Sequence, residues 1–347
     1  DFSQTADQTR QRFAAIDAAT GQVRAGFAAT AFNNRIDAIA VNATTNTVYV
    51  GGYFTAGGGQ TRTRLAAMDA TSGALKAWAP SAERSVISMT VHEPSNRVIV
   101  GGSFTQLNGS TQIGMGALDG ADGSVQPWAI NQTIQNSGNN TEIADLTTDG
   151  SLIFGTAWAW FGAPEGDTSA NFEGHFAANP TTGAIVWING CRGDQFSVAV
   201  TGNVLYAAGH SHECSMVGAN PDFEPDRYQY AQAIDTRGLA GLYNAYGSDW
   251  MWQPFPGIPA TPVLHWLPTF SAGTFTGSYQ AAYDVATNGD YVVFGGEFPR
   301  VNGANQQGLT RFAVSSIAPD TQGPQALSES VPTLTALGPG TVRIGFT

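Results

Sequence analysis

The chain has 347 residues, of which only 12 % are charged and 42 are glycine, a balance that fits a turn-rich all-β protein. Acidic residues outnumber basic ones 27 to 15, for a net charge of −12. That argues against a nucleic-acid partner, because no basic stripe faces a phosphate backbone, and no apolar run reaches membrane-spanning length.

The opening Asp1-Phe2-Ser3 reads as the tail of a Gly-Gly-Asp-Phe unit, so further residues are expected upstream. Five stretches then share one plan, a short apolar strand, a turn and a second strand: Ile36–Phe54, Val86–Phe104, Ile143–Trp158, Val198–His210 and Ala281–Phe298. Three of them end as Gly51-Gly52-Tyr53-Phe54, Gly101-Gly102-Ser103-Phe104 and Gly295-Gly296-Glu297-Phe298. A strand-built repeat of roughly fifty residues predicts a β-propeller with four-stranded antiparallel blades.

With strands a to d counted outward from the axis, the stretches above are a–b pairs. Strand c is the Leu-Ala-Ala-Met-Asp type at Phe13–Asp17, Leu65–Asp69, Met115–Asp119, His175–Asn179, Tyr230–Asp235 and Leu309–Val314. Turns such as Asp69-Ala70-Thr71-Ser72-Gly73 follow, their Asp capping backbone N–H groups and their Gly supplying positive φ. Strand d ends in Trp78, Trp128 or Trp187. Five a–b pairs against six c strands predict five blades, or six if upstream strands complete another. The propeller spans 1–317. Residues 318–347 read as a linker and the first strands of a fibronectin type III-like module.

The a-to-b turns are short. Every long connection (157–173, 189–195, 211–227 and about 244–280) falls on the opposite face, where b-to-c and d-to-a loops emerge. Long loops in compact domains usually carry function. This register puts Cys191 and Cys214 on one face of one blade, so a disulfide is expected, and with it an oxidising, extracellular or cell-surface location.

The same loops hold Trp158, Trp160, Phe161, Trp250, Trp252 and Trp266, along with Phe172, Phe255 and Phe270. Flat rings stack on sugar faces, or they simply hold the loops together. Asp194, His210, His212 and Glu213 lie beside the cysteines. His210 and His212, two apart, share one side of an extended segment and with Asp194 could bind a metal or serve proton transfer, or they pack. Asp222, Glu224 and Asp226 offer oxygen ligands to calcium, without EF-hand spacing. Otherwise no cofactor is called for. Glu165 and Asp167 supply further carboxylates, of the kind a glycoside hydrolase needs in pairs. The sequons at Asn42, Asn108, Asn131 and Asn139 are what chance gives in an Asn/Thr-rich chain.

The Gly-Gly-x-Phe and Leu-Ala-Ala-x-Asp units, the closing 295–303 with Gln306-Gln307-Gly308-Leu309, and the Cys-x-Gly-Asp and His-x-His-x-Cys segments resemble the uncharacterised β-propeller repeats of secreted actinobacterial proteins. Such repeats are often fused to fibronectin type III or PKD modules. The resemblance implies fold and secretion, not activity. Three functions follow as expectations. The first is a propeller binding glycan or another extracellular polymer through aromatic loops. The second is a polysaccharide hydrolase or lyase using the same face. The third is a structural or adhesion module whose loops dock neighbouring subunits.

Overall fold

The computed structural model describes residues 4–5, 8–9, 12–159, 170–217, 219–221, 223, 227–239, 241–242, 255–314, 316–318, 333–338 and 341–345. The chain divides into two compact units, Asp1–Arg311 and Phe312–Thr347. Among the described residues the second carries one antiparallel hairpin, Thr333–Gly338 with Thr341–Gly345.

The first unit is all-β. Among the described residues its backbone is five sheets in chain order, antiparallel save for one pairing in the third. Each is led by an inner strand, Ile36–Asn42, Val86–His92, Thr141–Thr148, Gln195–Thr201 or Ala282–Thr287. Each inner strand pairs with the strand after it, and that strand pairs with a third. The inner strands pack side by side from the first sheet to the fifth, as propeller blades do. Sheets buried between neighbours need apolar residues on both faces. Accordingly Thr47–Gly52 is buried at all six positions and Met115–Asp119 at its first four.

The outer fourth strand varies more than the repeat predicts. The second sheet has Val125–Gln126 and the third has Ile185–Asn189, but the first and fourth have single bridges, Met68–Leu75 and Ile234–Val263. Among the described residues the fifth sheet has three strands. The third sheet is extended by Pro259–Ala260, whose Ala260 pairs parallel with Ile188, and then by Gly241–Leu242. Part of the long connection after the fourth sheet thus joins its neighbour.

The Asp turns form as the sequence demands. Asp69 Oδ1 accepts the N–H groups of Thr71 and Ser72 at 3.0 and 2.8 Å, and Gly73 takes a φ of 75°. The outer Trp residues then fasten sheet to sheet. Trp78 Nε1 donates to the Asp119 carbonyl at 2.9 Å, and Trp187 Nε1 donates to the Thr236 carbonyl at 3.1 Å. Both rings are buried. The turn glycine of the next sheet must stay small: a Cβ on Gly183 would lie 2.8 Å from the Trp128 ring.

All five inner strands also carry a bulge at one level, between Ile36 and Ala38, Val86 and Ser88, Ile143 and Asp145, Gln195 and Ser197, and Ala282 and Asp284. A bulge re-aims the strand end and the side chains beside it. That end is where the candidate site lies.

Candidate functional site

Beyond each bulge, the residue before Ile36, Val86, Ile143, Gln195 or Ala282 faces the variable residue of the Gly-Gly-x-Phe position. The backbone contact is the same in four sheets. Tyr53, Ser103, His210 and Glu297 donate N–H to the carbonyls of Arg35, Ser85, Asp194 and Ala281, at 2.7 to 3.3 Å. In the third sheet, Glu142 is registered against Trp158. The side chains differ at every station. The Arg35 guanidinium lies 4.0 Å from the Tyr53 ring centre. Ser85 and Ser103 join hydroxyls at 2.9 Å. Trp158 Nε1 donates to Glu142 Oε1 at 2.9 Å. The Glu297 carboxylate accepts the hydroxyl of Thr276 at 2.6 Å and the N–H of Phe275. Constant backbone with changing side chains is a display of five stations at one end of the sheets.

The fourth station is the most elaborate. Asp194 N–H points to His210 Nε2 at 3.4 Å, and His210 Nδ1 meets Gln280 Oε1 at 2.9 Å. With Gln280 as acceptor, the proton sits on Nδ1 and Nε2 accepts. Arg192 and Glu213 form an antiparallel bridge, with Arg192 N–H donating to the Glu213 carbonyl at 2.9 Å. The Glu213 carboxylate accepts the Ser215 N–H at 2.8 Å.

The expected disulfide links Cys191 and Cys214 just beneath, with a Cα–Cα distance of 4.5 Å. Gln232 Nε2 donates to Cys214 Sγ at 3.2 Å. The bridge holds the 189–195 and 211–217 segments together. Replacing both cysteines by alanine is expected to cost about 3 kcal/mol in a denaturant melt, since it frees a loop 23 residues apart. A cost below about 1 kcal/mol would mean that strand pairing alone fixes the two segments.

One carboxyl group was not foreseen. Glu173 is buried, its Oε2 accepting the Gly193 N–H at 2.8 Å, and it shares a hydrogen bond with Asp194. Burial raises its pKa, and the neighbouring Asp194 charge raises it further. Burial raises Asp194 as well. Two carboxyls in contact keep one proton between them. The signal in sequence was positional: Glu173 stands where other repeats have Gln11, Thr63, Ile113 or Gln307. Behind the pair, His175 replaces the Leu65 or Met115 of other repeats. It is fully buried, and burial drives its pKa down to about 3, so the imidazole stays neutral.

Aromatic rings spread outward from this station. His210 meets Tyr228 edge-on at 5.1 Å, and His210 and His212 lie parallel at 6.4 Å. Phe196 packs on Tyr283 at 5.5 Å, and Tyr228 on Tyr230 at 6.1 Å. Tyr228 is 42 % exposed and Tyr279, whose carbonyl accepts the Tyr230 hydroxyl, 68 % exposed.

The structure therefore gathers Asp194, His210 and His212 with Glu173, Gln280 and Tyr228. Trp158 belongs to the third station, and Trp266 stacks on Phe294 at 5.9 Å and meets Tyr206 edge-on at 5.3 Å. Trp160, Phe161, Trp250 and Trp252, the acidic residues Asp222, Glu224 and Asp226, and the pair Glu165 and Asp167 lie outside the described residues. Among the described residues no three His, Cys, Asp or Glu side chains come together to hold a metal ion, and no helix is long and apolar enough to cross a membrane. Glu173 and Asp194, in hydrogen-bond contact, do not have the separation of roughly 5–10 Å that glycosidase carboxyl pairs keep.

No family model matches the chain, and no curated protein matches it. Solved structures with some likeness include BamB from Moraxella catarrhalis, at 17 % identity over 88 % of this chain and 78 % of that one, with a TM-score of 0.36. Kuenenia stuttgartiensis hydrazine synthase has 10 % identity over 81 % and 66 %, with a TM-score of 0.45. A nidogen/laminin complex chain has 10 % identity over 81 % and 85 %, with a TM-score of 0.37. Likenesses this low carry no argument; the sheet geometry above is what the fold rests on.

Proposed function

We propose that the protein is a binding module, and that the fourth station and its aromatic surround take an extracellular glycan. One observation carries this reading. Five structurally equivalent stations present different side chains at one end of the sheets, and the fourth adds a connected run of rings, His210, His212, Tyr228 and Tyr230, with Tyr228 exposed. Rings that are partly exposed and held edge-on by neighbours offer flat apolar faces to sugar C–H groups. Hydrogen-bonding groups at their rim (Gln280, Asp194) suit hydroxyls. An acidic chain is compatible with neutral or amine-bearing sugars and repels anionic ones. The disulfide fits an oxidising compartment, where such polymers are found.

Affinity electrophoresis in gels containing neutral, amine-bearing or acidic polysaccharides tests the reading. Retardation by at least one of the first two is expected, and Tyr228→Ala should weaken it about tenfold, near 1.4 kcal/mol. Equal mobility of wild type and variant in every gel that retards the protein would sink the assignment to this station.

A further inference from the structure

Among the described residues the first and fifth sheets do not pack on each other as neighbouring sheets do, and their uncovered walls match. In the closed part of the series, the first glycine of the Gly-Gly pair sits under a β-branched residue of the next inner strand. A Cβ on Gly51 would lie 2.6 Å from Val86, and one on Gly101 would lie 2.8 Å from Ile143. Gly295 is the equivalent residue of the fifth sheet, and nothing among the described residues lies within 4 Å of where its Cβ would be. Leu309 of the same sheet is 64 % exposed, whereas its equivalents Leu65 and Met115 are fully buried. The first sheet has the complementary deficit. Ile39 and Val41 are 54 % and 52 % exposed, whereas their equivalents Met89 and Val91 are buried against the sheet before them.

Residues 4–30 supply the third observation. The described residues of this stretch repeat the outer half of a blade. Gln4–Thr5 pairs with Gln8–Thr9, as Ala56–Gly57 does with Gln60–Thr61 and Gln106–Leu107 with Ser110–Thr111. Arg12 has a φ of 67°, as Arg64 has 70° and Gly114 has 69°. Ile16 bridges to Val23, and the buried Phe27 takes the place of Trp78 and Trp128. Ala28 N–H then donates to the Ser72 carbonyl at 2.8 Å, as Ala129 N–H does to Thr182 at 3.0 Å. In every complete repeat, two inner strands precede this half.

We propose that the slot between the Gly295–Leu309 wall and the Ile39–Val41 wall is a docking site for one more inner-strand hairpin of the same repeat, placed in chain order ahead of the Gln4–Thr9 hairpin. Its chemistry follows from the interfaces already formed. A β-branched residue at the start of its first strand belongs to the Gly295 wall, and a Gly-Gly end to its second strand lets Ile36 approach. Filling the slot closes a ring of six sheets, with residues 12–27 as the outer strands of the closing one.

The slot is testable in trans with the 347-residue chain. A synthetic hairpin with the sequence of residues 35–54 is titrated and followed by calorimetry and by the thermal midpoint. Saturable one-to-one binding and a raised midpoint are expected. Gly295→Leu, which fills the wall from one side, and Ile39→Asp, which charges the other, should each weaken binding at least tenfold while leaving the unliganded midpoint near that of wild type. Failure of the wild type to bind the hairpin overturns the proposal. So does binding that neither variant weakens. Concentration-dependent dimerisation of the chain alone that Gly295→Leu abolishes also overturns it, because the occupant is then a second copy.

Discussion

Wild-type protein is expected to lose stability as the pH rises from about 5 to about 9, and Glu173→Gln to remove most of that loss. The sign follows from the carboxyl pair. Burial and the Asp194 charge raise the folded-state pKa of Glu173, so the folded protein holds a proton that the unfolded chain releases in the ordinary carboxylate range. The stabilisation is complete below that range and is lost as the pH climbs through the raised value. Asp145 adds a smaller term of the same sign. Burial, with Asp284 nearby, raises its pKa to about 6. His175 acts oppositely: with a folded value near 3 against an ordinary 6.5, it costs stability as the pH falls below 6.5. Stability should therefore peak in the mildly acidic range.

Glutamine at 173 keeps an acceptor for the Gly193 N–H and stays neutral at any pH, and it also removes the charge that Asp194 feels. The expected gain over wild type at about pH 9 is on the order of 1–3 kcal/mol, with little difference at about pH 5. Denaturant midpoints across this range check it. Parallel pH profiles for the two proteins would show that the pair does not hold the proton.

Much of this architecture was legible because the repeat writes its own register. The Asp69, Asp119 and Asn179 turns with their positive-φ glycines, the Gly-Gly strand ends and the buried Trp residues recur at offsets that agree to within one residue, so face and strand order follow from spacing. The disulfide was legible for the same reason. Glu173 was not, although its position was. A carboxylate at the mouth of a loop reads as solvated until the fold brings Asp194 against it, and that contact joins residues 21 apart through two different strands. Tyr228 and Gln280 were missed likewise, since Tyr228 joins the site through the rings of His210 and His212 and Gln280 through His210. The extra strand at Pro259–Ala260 had no periodic signal at all; it is two residues long and pairs with the third sheet rather than the fourth.

Trp187→Ala is expected to be the most damaging single substitution in the outer strands, at about 3–5 kcal/mol. The ring is 1 % exposed, lies 5.9 Å from the Phe154 ring, and belongs to the apolar cluster where the third and fourth sheets meet. Its Nε1 also satisfies the Thr236 carbonyl. Removing it leaves a cavity between two sheets that bulges and cross-strand pairing already hold in place, so the site cannot easily collapse. Trp187→Phe separates the two contributions. It keeps most of the apolar area and loses the hydrogen bond, so about 1 kcal/mol is expected. If phenylalanine costs as much as alanine in urea melts, the hydrogen bond to the next sheet, and not the buried ring, is what fastens the third sheet to the fourth. The same pair of substitutions at Trp78, whose Nε1 reaches the Asp119 carbonyl, should repeat the ratio one interface earlier. Agreement between the two positions would make the outer Trp a general fastener of this repeat. A large cost at Trp187 alone would confine it to the interface beneath the candidate site.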